Sequence, residues 1–197
     1  MAEIKSTMDM VLERAAKMAA AATEDVDNED LVRTGMRLAA DFLNQKETDL
    51  ARLVDAQPPK NQVTVRKGMA QTLLRNIVLP RDEQLQASGK MALQGVLALG
   101  GKSGEIKAIC QELGQILEQY GQHKEQMTQQ LDDAIRAQLE QQQQSKGLKG
   151  QPSINPAMHP QYREELARML TSLNNQYNDA MNQRKGMILE RFSPTAR

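Results

Sequence analysis

The stretch Leu99-Gly100-Gly101-Lys102-Ser103 ends like a phosphate loop, which would make the protein a nucleotide hydrolase. Such a loop needs its first glycine at position 96, and that residue is Val96; Gly95 misses by one. It must also follow a strand, and a helical pattern precedes it here. Backbone N–H groups at a helix N-terminus can hold sulfate or phosphate without the motif. Hydrolysis is not expected; incidental anion binding is allowed.

Asp25-Val26-Asp27-Asn28-Glu29-Asp30 resembles the start of a calcium loop. The position that demands glycine is Asp30, and the closing bidentate carboxylate falls on Met36. Helix capping is the better reading of these acids. The two histidines, His123 and His159, have no nearby Cys or His partner, so the three or four convergent ligands of a metal site are missing. Cys110, between Ile109 and Leu113, reads as a small buried hydrophobe. Asp132-Asp133 and Glu164-Glu165 are adjacent pairs, which diverge by about 100° on a helix instead of converging. No nucleophile–base pairing follows from the spacing. No cofactor, metal, catalytic residue or small-molecule substrate is expected.

One segment carries charge suited to binding. Between Pro58 and Arg81 there is no acid, against Lys60, Arg66, Lys67, Arg75 and Arg81. An anion or nucleic acid could use such a patch, yet nucleic-acid binders usually add an overall basic domain or aromatic platforms. This chain has 25 basic and 25 acidic side chains, and the block has no aromatic residue. The plainer reading is that the block faces the acidic segment before it.

The charges are nevertheless patterned. Residues 1–59 sum to −5, 60–102 to +5, 103–143 to −4 and 144–197 to +4. Neighbouring segments that fold back as antiparallel helices would neutralise one another. At about 0–1 kcal/mol per exposed pair, this guides register more than it stabilises.

The elements that must position these residues are helices. Hydrophobic residues make up 40% of the 197-residue chain and aromatics only 3%, so the core must be Leu, Ile, Val, Met and Ala. Ile4, Met8, Val11, Leu12, Ala15, Met18, Ala19 and Ala22 predict a first helix over about 2–22. The acidic stretch 24–30 should interrupt it, with Asp27 or Asn28 capping a second helix whose stripe (Leu31 to Val54) ends before Pro58-Pro59. A third helix is predicted from near Gln62 to Leu79, stopped by Pro80. A fourth runs from Asp82 to Leu99, and Ser103 is suited to cap the next.

From Glu105 to Gln143 there is no proline, and only Gly114 and Gly121 interrupt strong helix formers. That helix would be roughly 58 Å long, more than a compact domain of this size is wide. Residues 144–160 form an irregular linker, and Gln161 to about Arg191 is a last, acid-poor helix. The expected fold is all-α: an elongated helical bundle with a long C-terminal antiparallel helical hairpin, coiled-coil-like in its stripes. Residues 1–102 would be a four-helix N-terminal segment and 103–197 the hairpin, with one continuous domain as the alternative.

No signal peptide is expected, and no run approaches the roughly 20 apolar residues of a membrane span, so a cytoplasmic location is expected. The expected function is a non-catalytic interaction protein: a scaffold, adaptor or assembly factor that self-associates as a homo-oligomer or grips a protein partner. Tyr120, His123, Met127, Leu131, Tyr177, Met181 and Ile188 are the candidate contact face. The alternatives are a nucleic-acid-associated regulator using residues 60–81 and an enzyme whose site is assembled from scattered helices.

Overall fold

A computed structural model describes residues 7–145 and 155–193; within 7–27 it describes the helix backbone and, of the side chains, Met10, Glu13 and Arg14. The described residues form six α-helices and no strand: α1 (Thr7–Leu43), α2 (Leu50–Asp55), α3 (Pro59–Asn76), α4 (Glu83–Gly100), α5 (Gly104–Ser145) and α6 (Pro160–Phe192). A single 3-10 turn, Pro156–Met158, precedes α6. The chain is all-α, and none of the described helices is long and apolar enough to cross a membrane.

The expected interruption at 24–30 is not there. α1 runs straight through it, so Asp27 and Asn28 are helix-interior residues and not caps. The stretch contains neither Gly nor Pro, and Arg33 one turn later pairs with Glu29 (3.4 Å) and Asp30 (3.6 Å) on an exposed face. Carboxylates that find a cation one turn on do not break a helix.

The break comes instead at 44–49. Gln45 takes a left-handed φ of 59°, the Gln45 N–H donates to the Phe42 carbonyl, and the Lys46 N–H donates to that of Asp41. These are the two bonds of a Schellman cap, here built on a residue other than glycine. The Lys46 ammonium also reaches the Asp41 carboxylate at 3.6 Å. Asp49 then accepts from the Arg52 N–H at 3.0 Å and starts α2, which buries Leu50 and Val54.

α3 begins at Pro59, where a missing N–H and a fixed φ cost nothing. It ends at Asn76, with Ile77 already extended, four residues before the proline expected to stop it. Ser103 accepts from the Ile106 N–H (3.4 Å), so the expected cap is present; Asp82, expected as the first residue of the fourth helix, is instead its cap and accepts from the Leu85 N–H (2.8 Å). Between α4 and α5, Gly101 sits at φ +57°, which only glycine adopts without penalty. The loop joins helix to helix and has no phosphate-loop geometry.

α1 and α3 cross closely. A Cβ on Gly35 would overlap the Val65 carbonyl oxygen, and one on Gly68 would overlap that of Val32. The order 32–68 and 35–65 makes the two helices antiparallel. α5 and α6 also run antiparallel, as the pairs Glu105–Arg191, Glu112–Arg184 and Tyr120–Asn174 show. The acidic and basic blocks of those two helices thus meet across the hairpin.

The main core draws on both sides of residue 102: Val65, Met69, Leu73 and Val96 share one buried cluster with Leu113, Met181 and Ile188. A second, smaller cluster holds Leu131, Ile135, Leu139 and Tyr162, all from α5 and α6.

Candidate functional site

The residues read as a contact face are mostly internal. Tyr120, Leu131, Met181 and Ile188 are buried, so they are core residues of the chain itself and not an exposed seam. Met127 and Tyr177 are half-buried, and of the seven only His123 is exposed. The hairpin buries one stripe from each helix, and that accounts for the periodicity. Tyr120 and Tyr177 pack edge to face at 5.5 Å, the Tyr120 hydroxyl donates to Asn174 Oδ1 (2.9 Å), and the Tyr177 hydroxyl lies 2.5 Å from His123 Nδ1. Burial pushes both phenols up, against which Arg81 pulls that of Tyr120 down. Tyr162 is likewise raised, first by a hydrogen bond with Asp132. These are ties between helices.

The basic block does not form one patch. Lys60, Arg75 and Arg81 are exposed, Lys67 lies in the α1–α3 groove beside Glu29, and Arg66 turns to another side. Neighbours on a helix diverge by about 100°, which separates Arg66 from Lys67. None of the five forms an ion pair with a carboxylate among the described residues, so the expected neutralisation by the acidic segment is not made pair by pair. Cys110 is buried, and burial raises its thiol to about 11, the behaviour of a small hydrophobe. Among the described residues no cluster of His, Cys, Asp or Glu could hold a metal ion.

The surface that does stand out lies between α4 and α5. An open groove of about 540 Å³ has Leu85, Leu93 and Leu117 half-exposed along it and Val78 at one end. Leu97, one turn beyond Leu93 on α4, is 38% exposed. Gly89, Gly114 and Gly121 line the groove, and a Cβ on any of them would meet nothing within 4 Å. Lys90 stands on the α4 wall, Glu118 and Glu125 on the α5 wall. None of these three charges forms an ion pair among the described residues.

The glycines are the telling part. Each glycine inside a helix costs about 0.5–1 kcal/mol relative to alanine. Gly35 and Gly68 recover that cost by letting two backbones touch. Gly114 and Gly121, within a 42-residue helix, bring no such close approach among the described residues. Sequence reading saw these two glycines only as interruptions, although two of them seven residues apart on an otherwise strong helix mark one face.

Residues 51–190 match the model of a family described as a family of unknown function, DUF6657. The chain belongs to that family. No curated protein and no solved structure matches it. The DUF6657 segment opens just inside α2 and closes near the end of α6, so it contains the whole α4–α5 groove and nearly all of the hairpin.

Proposed function

We propose that the protein is a non-catalytic helical assembly element, a scaffold or assembly factor that self-associates through the α4–α5 groove. Two copies pack about a two-fold axis, with α5 of each lying in the groove of the other. The two α5 helices approach closely at Gly114 and Gly121, and each α4 flanks the other copy's α5.

The observation that carries this reading is that a Cβ on Gly89, Gly114 or Gly121 would meet nothing within 4 Å, in a groove rimmed by charges of opposite sign that form no ion pair among the described residues. A groove with Lys90 on one wall and Glu118 and Glu125 on the other is complementary to itself under a two-fold rotation. Lys90 of one copy then meets Glu118 and Glu125 of its partner, an isologous contact of the kind most homodimers use. The apolar side chains between the walls supply the area that leaves water, and the charges fix register more than they add affinity.

The test is charge reversal with rescue, read as mass in solution by light scattering after size exclusion. Lys90→Glu alone, and Glu118→Lys with Glu125→Lys, should each shift the population to monomer. All three changes together should restore the dimer. Single and combined variants of equal mass would sink the proposed geometry.

A further inference from the structure

Arg66 is set apart from the rest of the basic block by its surroundings. Its Nε is buried and has no hydrogen-bond partner. It lines a cavity of about 340 Å³ where the end of α4, the start of α5 and the end of α6 converge, and Arg191 and Ser103 line the same cavity. Leu99, Ile106 and Phe192, all buried, form its apolar side.

The polar inventory of this cavity favours an incoming acceptor. No carboxylate pairs with Arg66 among the described residues. Arg191 is ion-paired through its Nε with Glu105 at 3.1 Å, and its side chain lines the cavity. Ser103 Oγ accepts from the Ile106 N–H, so its own proton is free to donate. Ser193 is spent as a donor, because its hydroxyl donates to the Leu189 carbonyl at 2.9 Å. The Nε itself is closed to a water-sized atom, so an oxyanion in the cavity would meet the remainder of the Arg66 side chain that lines it. Planar donors of this kind fit carboxylate and phosphate oxygens with two parallel bonds.

We propose that this cavity binds a small oxyanion, a phosphate ester or a carboxylate, carried on a short apolar stem. Arg66 is its principal ligand, Arg191 and Ser103 supply further donors, and the stem lies on Leu99, Ile106 and Phe192. This site is separate from the α4–α5 groove and does not depend on self-association.

Isothermal titration of the full chain at fixed ionic strength tests it, with hexyl phosphate, hexanoate, inorganic phosphate and hexanol as probes. At least one of the two amphiphilic anions should bind one per chain, at least tenfold tighter than hexanol or inorganic phosphate. The comparison of hexyl phosphate with hexanoate tells which head group the cavity takes. Arg66→Met should weaken that binding at least tenfold, and Arg66→Lys, which keeps the charge and loses the planar fork, should weaken it less. Lys60→Met, an exposed cation on the same helix, should leave it unchanged. Far-ultraviolet circular dichroism of each variant checks that it is folded, and Arg66→Lys carries the test should Arg66→Met not fold. Failure of both anions to bind saturably overturns the proposal. So does inorganic phosphate binding as tightly as the amphiphiles with no loss in the Arg66 variants, which means an adventitious ion only.

Discussion

Gly35 and Gly68 each place a bare Cα against the other helix's backbone, Gly35 on the Val65 carbonyl and Gly68 on the Val32 carbonyl. The backbone of α1 therefore touches that of α3 with no side chain between them, and a Cβ at either site forces the helices apart.

Gly35→Ala and Gly68→Ala should both destabilise the fold. Overpacking costs about 1–3 kcal/mol, and more where backbone must move. The better helix propensity of alanine returns about 1 kcal/mol of that. Urea unfolding should show a net loss of roughly 2 kcal/mol or more for each variant. An unchanged midpoint would mean that the crossing is looser than described.

Gly114→Ala and Gly121→Ala should behave in the opposite way within one chain. Each removes a mid-helix glycine from open space, so the isolated chain gains about 0.5–1 kcal/mol. In the proposed dimer the same change places a methyl between two α5 helices, so dissociation of that dimer should become at least tenfold easier. Dilution experiments at matched concentration read the second effect, and unfolding below the dissociation midpoint reads the first.

Gln45→Gly should stabilise the protein. Gln45 holds the left-handed position of a Schellman cap, where a side chain costs roughly 1–2 kcal/mol. Glycine also loses more freedom on folding, so the net gain is about 1 kcal/mol or less, seen as a higher urea midpoint with an unchanged slope.

Cys110 sets an alkaline limit. Its folded thiol is raised to about 11 from an ordinary value of 9.0, so the unfolded state loses its proton first as pH climbs. The stability it contributes is intact below pH 9 and is lost between pH 9 and about 11, at roughly 1.4 kcal/mol per pH unit. The raised tyrosines act in the same direction at higher pH. Lys185, lowered by burial, opposes them. At pH 8 a thiol reagent should modify the folded protein far more slowly than the urea-unfolded chain; equal rates would show that Cys110 is open to solvent.

Much of the architecture was legible because it rests on local chemistry. Ser103 caps where its side chain allows, and α5 extends to Ser145 because no residue in it stops a helix. The opposed charges of α5 and α6 meet as Glu112–Arg184 and Glu105–Arg191. Two features were hidden. The end of α1 depends on Gln45 taking a conformation that its residue type does not advertise. The acids at 24–30 looked like a boundary because capping residues and helix-surface residues are the same types.

The internal cover of the apolar stripes was hidden for a different reason. An apolar stripe marks what a helix buries, without saying whether its cover comes from the same chain. Tyr120, Leu131, Met181 and Ile188 are covered internally. The glycines at 89, 114 and 121 carry no hydrophobic signal, and the open space in front of them is visible only in the structure.

The most direct measurement is the mass of the unmodified protein in solution, by size exclusion with light scattering from low to high micromolar concentration. Self-association through the groove requires a species of twice the 22.0 kDa chain mass that dissociates on dilution or on Lys90→Glu. A single 22.0 kDa species at every concentration would contradict it.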